Sequence, residues 1–212
     1  MKENLLSVTK KARVITAGDS LAKTAVVVLH GYGQLSARFL EKMITIPEVY
    51  WVAPEALSRF YVEGFSGNVG ASWMTKEMRE EDISDNLNYL REVFENFIID
   101  KGFEKVVLLG FSQGGATAIR FAHAFPEQLQ ALIVWGSDFP KELVSDFREM
   151  TKGVQKYFVL GNQDPFFTSE TQGILRKEME ALDFKNVMFE GKHKIEKEVL
   201  GKILVSIRNG DL

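Results

Sequence analysis

The sequence predicts an α/β fold, a mostly parallel central sheet with helices on both faces. Short apolar runs rich in Val, Ile and Leu alternate with longer segments whose apolar residues recur at helical spacing. These runs are continuous, as in strands that are buried on both faces. The 212 residues contain no repeat or long linker, and we expect one domain over residues 1–212.

Seven segments are predicted as strands. The clearest are Ala25–Leu29, with the sequence AVVVL, and Ala131–Trp135, with the sequence ALIVW. The first predicted strand, Arg13–Thr16, is expected at an edge of the sheet. The complete set is Arg13–Thr16, Ala25–Leu29, Tyr50–Ala53, Lys105–Leu109, Ala131–Trp135, Lys156–Leu160 and Asn186–Phe189.

Four segments are predicted as helices from their apolar periodicity and their boundary residues. Thr168 or Ser169 is a plausible N-cap for the third of them. The predicted helices are Ile83–Ile99, Gln113–Ala124, Thr168–Leu182 and Ile195–Ile207.

The stretch Leu57–Trp73 differs from the rest of the chain. It is rich in glycine and in aromatic residues, among them Phe60, Tyr61 and Phe65, and it has no clear period. Because long irregular segments inside compact domains are often functional, we expect a functional loop here.

Residues Gly110–Gly114 read Gly-Phe-Ser-Gln-Gly and match the pattern G-x-S-x-G. This pattern arises by chance in roughly one chain of this length in fifteen. Here a predicted strand leads into it and a predicted helix follows, which is the setting of a nucleophile elbow. Such a turn lifts the serine hydroxyl above the sheet, and the glycines leave room for it. We favour Ser112 as a nucleophile over an ordinary glycine-rich turn.

A serine nucleophile needs a base, and on this type of sheet the chain order is serine, acid, histidine. His193 follows the last predicted strand, so it lies at the carboxyl edge of the sheet, where ligands gather. We therefore expect His193 to be the base rather than a solvated loop residue. His123 projects from the helix after Ser112, away from the turn, and is expected to be structural or exposed. His30 lies upstream of the serine, which does not fit this order.

Two aspartates are candidates for the acid that orients the histidine. Asp164 follows the strand Lys156–Leu160, and Asp138 follows the preceding strand. Either could stabilise an imidazolium, and either could instead cap a helix. We favour Asp164, because its loop is nearest in sequence to the loop of His193.

An oxyanion hole requires two backbone N–H groups that point at the developing charge. One is expected from Gln113, the residue after the nucleophile. The other is expected from the loop His-Gly-Tyr-Gly at 30–33, where we choose the N–H of Tyr32. The alternative for this loop is a plain strand-to-helix turn.

These residues together resemble the phospholipase/carboxylesterase family, which includes bacterial carboxylesterases and acyl-protein thioesterases. The resemblance runs from about residue 25 to the end of the chain and implies an α/β-hydrolase fold, with no stretch long enough for a large lid domain. It also implies the triad Ser112, Asp164 and His193. The matching pieces are His30-Gly31-Tyr32-Gly33, Ser72-Trp73 with the acidic Glu80-Glu81-Asp82, Gly110-Phe111-Ser112-Gln113-Gly114-Gly115, Asp164-Pro165 and His193.

The resemblance also suggests substrate-binding residues. Trp73, Trp135 and Phe166 fall near positions that resemble the family's acyl-pocket wall, although a role in the core is equally compatible with each. Two departures from the family pattern stand near the triad. The acid is preceded by Leu-Gly-Asn-Gln instead of the usual H-G-x-x, and Lys192 replaces the glycine that usually precedes the histidine.

Composition restricts the partners. The net charge is −3 with no cluster of Lys and Arg, so nucleic acid is not expected. No apolar stretch reaches membrane-spanning length, and no signal peptide is evident, so we expect no stable membrane insertion. The absence of cysteine excludes disulfides and fits a cytoplasmic protein. A multi-histidine metal site would need nearly all of the three histidines, so we expect no metal. Acyl transfer through a serine needs no cofactor, and we expect none.

The sequence thus predicts a serine hydrolase that acts on a small-molecule ester or acyl substrate, as a monomer or homodimer. Carboxylic esters are the expected substrates, with thioesters and lysophospholipids as further classes. Two alternatives stay open: a hydrolase of the same fold that acts on another acyl bond, and a non-catalytic small-molecule binding protein on the same scaffold.

Overall fold

A central sheet is built from seven of the nine strands in the computed structural model, which describes residues 1–210. The strands are β1 (Val14–Gly18), β2 (Thr24–Leu29), β3 (Val49–Pro54), β4 (Ser58–Tyr61), β5 (Val69–Ser72), β6 (Lys105–Phe111), β7 (Ala131–Trp135), β8 (Gln155–Gly161) and β9 (Lys185–Phe189). The order across the sheet is β1-β3-β2-β6-β7-β8-β9. The edge strand β1 is antiparallel to β3, and the other neighbours pair in parallel. The predicted mostly parallel sheet is confirmed.

Six α-helices accompany the strands within residues 1–210. They are α1 (Ser36–Leu40), α2 (Arg79–Phe97), α3 (Gln113–Ala124), α4 (Phe147–Met150), α5 (Ser169–Ala181) and α6 (Lys197–Asn209). The four predicted helices correspond to α2, α3, α5 and α6. The Thr168 side chain caps α5 by accepting a hydrogen bond from the N–H of Thr171 at 3.2 Å. Among the helices of residues 1–210, none is both long and apolar enough to cross a membrane.

The sheet separates two apolar cores. Successive residues of a buried strand point to opposite faces, so Val26 and Val28 belong to one core whereas Val27 and Leu29 belong to the other. Helices α2, α3 and α5 pack on the face of Val27, and α1 and α6 pack on the face of Val26. This arrangement explains why the strand sequences are continuously apolar.

The prediction of an irregular loop over Leu57–Trp73 is wrong. Strands β4 and β5 pair there as an antiparallel hairpin, with a register that runs from Ser58↔Ser72 to Tyr61↔Val69. Each strand has only four residues, and β4 alternates between half-buried and exposed positions, so its period is too short to recognise. Apart from the sheet and this hairpin, the described elements form no separate lid domain.

Candidate active site

Ser112 occupies a strained turn between β6 and α3. Its backbone has φ 53° and ψ −122°, a region that residues other than glycine rarely adopt. The flanking glycines are required by close contacts. A Cβ on Gly110 would lie 2.3 Å from the Gly114 carbonyl oxygen, and a Cβ on Gly114 would lie 2.3 Å from the Leu29 carbonyl oxygen. The strand, turn and helix therefore present Ser112 at the carboxyl edge of the sheet, as a nucleophile elbow requires.

The imidazole of His193 contacts a buried carboxylate. Asp164 follows β8, and its Oδ2 lies 2.6 Å from His193 Nδ1, with the aspartate side chain 1% exposed and the histidine side chain 15% exposed. The other oxygen, Oδ1, accepts a hydrogen bond from the Phe166 N–H at 3.0 Å. With Nδ1 donating to Asp164, Nε2 is the nitrogen left to accept a proton.

Two glycines that the sequence analysis did not single out allow this contact. Gly136 follows β7 with φ 57°, and a Cβ there would lie 3.0 Å from His193 Cε1. A Cβ on Gly161, at the end of β8, would lie 2.4 Å from the Gly191 carbonyl oxygen. Each glycine directly follows a predicted strand, and this position is the one signal in the sequence that could have identified them.

Ser112 and His193 face one surface cleft of about 370 Å³. The lining residues are Ser112, Gln113, Ala116, Gly136, Ser137, Asp138, Phe166, Phe167 and His193. Of the two acid candidates, Asp164 contacts the histidine, whereas Asp138 is exposed on the cleft wall. A larger cavity of about 840 Å³ lies between residues 5–12 and α2, and it contains neither Ser112 nor His193.

The loop after β2 leaves the backbone N–H of Tyr32 free. Gly31 N–H donates to Gln34 Oε1, Gly33 N–H donates to Ala71 O, and Gln34 N–H donates to Gly31 O. In the part of the chain that the structure describes, no hydrogen bond occupies the Tyr32 N–H. The Gln113 N–H belongs to the first turn of α3, where helix geometry provides no carbonyl acceptor. Both N–H groups that were predicted as oxyanion donors are thus available.

Both candidate tryptophans are buried. Trp73 is 0% exposed and packs in the core beside α2 and α3, and Trp135 is 1% exposed in the core on the opposite face, against Phe189. Neither ring lines the cleft. The expectation that Trp73 and Trp135 form part of the acyl-pocket wall is therefore corrected, and both tryptophans belong to the core. Phe166 is different, because it is 74% exposed and its ring meets His193 edge-on at 4.6 Å.

The other two histidines lie outside the cleft. His123, on α3, approaches the Asp146 carboxylate at 3.1 Å. His30 is fully buried, and its Nε2 accepts a hydrogen bond from the Ala56 N–H at 3.1 Å while Nδ1 lies 2.8 Å from the Gly31 carbonyl oxygen. These contacts fit a neutral ring that donates from Nδ1 and braces the loop of Tyr32.

His30 is expected to make the folded state sensitive to acid. Burial lowers its pKa from 6.5 to about 4, although the hydrogen bond to Gly31 opposes this shift. Between these two values the unfolded chain binds a proton that the folded protein does not, so stability falls as the pH is lowered from 6.5 towards 4. The full effect is about 3 kcal/mol in the free energy of unfolding.

Denaturant unfolding at about pH 7.5 and about pH 4.5 tests this expectation, with His30→Gln as the comparison. Glutamine can accept from Ala56 but does not titrate. We expect wild type to lose about 2 kcal/mol more than His30→Gln between these conditions. Equal losses in the two proteins would show that His30 does not carry the effect.

Comparisons with known proteins agree with this architecture. The model of the family described as Phospholipase/Carboxylesterase matches residues 10–209. Acyl-protein thioesterase 2 of Zea mays superposes with a TM-score of 0.70 at 16% identity, over 93% of this chain and 99% of that one. A Bacillus cereus carboxylesterase superposes with a TM-score of 0.65 at 15% identity, over 93% and 94% of the two chains.

A phospholipase/carboxylesterase from Dyadobacter fermentans superposes with a TM-score of 0.62 at 21% identity, over 95% of this chain and 99% of that one. At these identities the likeness to solved structures establishes the α/β-hydrolase fold alone. A search of curated proteins gives no match.

Proposed function

Since the chain belongs to the phospholipase/carboxylesterase family of hydrolases, we propose that it cleaves carboxylic esters through Ser112, His193 and Asp164. One observation carries this proposal. Ser112, in its strained turn, shares a cleft with His193, whose Nδ1 lies 2.6 Å from the buried Asp164 carboxylate. Nucleophile, base and orienting acid are the three groups that acyl transfer through a serine needs.

The first half of the reaction forms an acyl-enzyme. Ser112 Oγ attacks the ester carbonyl carbon as His193 Nε2 takes the hydroxyl proton, and Asp164 stabilises the resulting imidazolium. The carbonyl oxygen becomes an oxyanion that accepts hydrogen bonds from the N–H groups of Tyr32 and Gln113. The bond to the leaving oxygen then breaks, and His193 returns its proton to the departing alcohol.

The second half repeats these steps with water. His193 takes a proton from water as the water oxygen attacks the acyl carbon, and the same two N–H groups stabilise the second oxyanion. Ser112 leaves with the proton from His193, and the carboxylic acid is released. Thioesters and lysophospholipids can undergo the same two steps, because only the leaving group differs.

The acyl group packs against aromatic side chains in this proposal. Phe166 stands on the cleft wall beside His193. The exposed ring of Tyr32, whose N–H is a proposed oxyanion donor, pairs with Phe60 of the β4–β5 hairpin at a centroid distance of 5.1 Å. These rings offer apolar area for short or medium acyl chains.

The dependence of kcat/KM on acyl length tests this wall. From acetate upward, each of the first few methylenes is expected to raise kcat/KM by about fourfold, because its burial contributes about 0.8 kcal/mol. The value then falls towards dodecanoate, since no large lid covers a longer chain. Phe166→Ala is expected to flatten the rise.

The matched control is Ile174→Ala, which removes an exposed apolar side chain on α5, outside the cleft. It is expected to keep the wild-type profile. A wild-type profile that is flat, or a Phe166→Ala profile like that of wild type, would remove Phe166 from the substrate wall.

Labelling with a fluorophosphonate tests the proposed function itself. This probe phosphonylates a serine that a neighbouring base activates. Wild type is expected to be labelled at Ser112 and to hydrolyse p-nitrophenyl esters, and labelling is expected to end that hydrolysis. A protein that resists the probe and does not hydrolyse esters would instead support the non-catalytic alternative.

A further inference from the structure

The two proposed oxyanion donors come from separate loops, so their relative position must be set by something outside the strands. The Tyr32 N–H lies beyond the end of β2, and the Gln113 N–H lies beyond the end of β6. The two strands pair in register up to Leu29↔Gly110, and no ladder continues past that point. An oxyanion hole works only when both donors point at the same atom. The start of α3 packs directly on the loop of Tyr32, because a Cβ on Gly114 would lie 2.6 Å from the His30 carbonyl oxygen, and a third element that bonds to both loops adds to this alignment.

Residues 71–74 form this connection, and their first residue, Ala71, contacts the loop of Tyr32. Ala71 exchanges two backbone hydrogen bonds with the loop of Tyr32, accepting from Gly33 N–H at 2.9 Å and donating to Gln34 O at 3.1 Å. Behind it, Gly70 approaches so closely that a Cβ would lie 2.4 Å from the Gly33 carbonyl oxygen. The end of the hairpin therefore supports the donor loop on one side.

The side chain of Gln113 holds the other end of residues 71–74. Its Oε1 accepts a hydrogen bond from the Trp73 N–H at 3.0 Å, and its Nε2 donates to the Met74 carbonyl oxygen at 2.7 Å. Nε2 also donates to Ser72 Oγ at 3.1 Å. The amide oxygen accepts a hydrogen bond and the amide nitrogen donates two, a combination that an amide can provide and a carboxylate cannot.

Trp73 ties this segment back to the donor loop. Its indole Nε1 donates to the His30 carbonyl oxygen at 2.8 Å, two residues before Tyr32. Its own carbonyl oxygen accepts from Asn86 Nδ2 of α2 at 2.5 Å. Since Trp73 is fully buried, these bonds are shielded from water and hold their partners firmly.

We propose that the side chain of Gln113 is a positioning residue for the oxyanion hole, acting through residues 71–74 on the Tyr32 N–H. This inference rests on the proposed function. The same residue supplies one donor from its backbone, and its side chain fixes where the other donor stands. Loss of the side-chain bonds leaves both N–H groups present and misaligned.

Gln113→Met tests the proposal, because methionine has a similar length, keeps the backbone N–H and makes none of the three bonds. Removal of one oxyanion donor costs 10²–10³ in kcat, and misalignment is expected to cost on the order of 10- to 100-fold, with KM within about twofold. The second readout is the inhibition constant of an alkyl boronic acid, whose adduct with Ser112 Oγ is a tetrahedral anion. We expect it to rise by the factor by which kcat falls.

The kcat is expressed per active site, counted by fluorophosphonate titration, because partial unfolding would lower the number of active sites. The inhibition constant does not depend on that number, so partial unfolding would leave it unchanged. The control is Thr151→Val. It deletes a buried side-chain hydrogen bond, to Phe147 O at 2.7 Å, at the end of α4, and Thr151 does not line the cleft. It is expected to lower stability and to keep the wild-type kcat and inhibition constant.

The outcomes separate the two proposals. If wild type hydrolyses esters through Ser112 and Gln113→Met equals it in both constants, this inference is overturned and the proposed function stands. If wild type shows no hydrolysis that depends on Ser112, both are overturned. Should Gln113→Met not fold, Trp73→Phe is the second variant. It loses the indole bond to His30 and part of the buried ring, and it keeps the backbone N–H that donates to Gln113. It must raise the inhibition constant by a smaller factor, and an unchanged value overturns the inference.

Discussion

Ser112→Ala is expected to lower kcat for ester hydrolysis by about 10⁶, the cost of removing the nucleophile of a serine triad. The change deletes a single oxygen. Alanine keeps the Cβ that serine already places in the turn at φ 53°, and it leaves the contacts of Gly110 and Gly114 unchanged. The fold and its thermal unfolding are therefore expected to match those of wild type.

Ser137→Ala is the matched control for this prediction. Ser137 lines the same cleft, and its hydroxyl donates to the carbonyl oxygen of Asp138 at 3.1 Å. Because no histidine activates it, its loss is expected to change kcat by less than about tenfold. A folded Ser112→Ala protein that hydrolyses esters at the wild-type rate would rule out the serine mechanism.

Asp164→Asn is expected to lower kcat by about 10⁴. The asparagine carbonyl can keep the bond from Phe166 N–H, so the loop is expected to retain its shape. Its amide nitrogen would then face His193 Nδ1 as a donor, and the ring would respond by carrying its proton on Nε2. In that tautomer Nε2 cannot accept the Ser112 proton.

Asp138→Asn provides the comparison, because it makes the same substitution on the cleft wall without touching His193. We expect less than about a tenfold change in kcat for it. The pH profile of kcat/KM for both variants checks the tautomer argument. If Asp138→Asn proved to be the damaging change, the acid would have to be reassigned.

Much of the fold could be predicted because long apolar runs and long amphipathic segments have strong periodicity. The bounds of α3 and β7 agree with their predictions residue for residue. The failures are short elements. The helices α1 and α4 have five and four residues, and the strands of the hairpin have four each, so none spans enough periods to stand out.

The candidate site could be predicted where chain order and local context coincide. Ser112 stands in a recognisable turn, and His193 is the histidine that follows it at the carboxyl edge. Asp164 and Asp138 could not be separated by such reasoning beyond a preference, since each follows a neighbouring strand. The 2.6 Å contact that distinguishes them depends on how the loop of His193 folds back over Gly136 and Gly161.

Tertiary packing explains what the sequence left open. Trp73 and Trp135 are aromatic residues near strand ends, and the pattern around them cannot say whether the ring turns into the core or into the cleft. The hydrogen bonds from the Gln113 side chain to residues 72–74 join segments about forty positions apart, as the separation of Gln113 and Trp73 illustrates. No local pattern encodes such contacts.

The central claim is that catalysis passes through an ester on Ser112, and trapping that ester tests it most directly. Wild type is mixed with p-nitrophenyl butyrate, quenched in acid within the first turnover and measured by intact mass, and its digest locates the added group. We expect a burst of p-nitrophenol near one per active site and a butyryl group on the peptide that contains Ser112. Steady hydrolysis with no burst and no acyl group in wild type, or an acyl group on a different residue, would contradict the account.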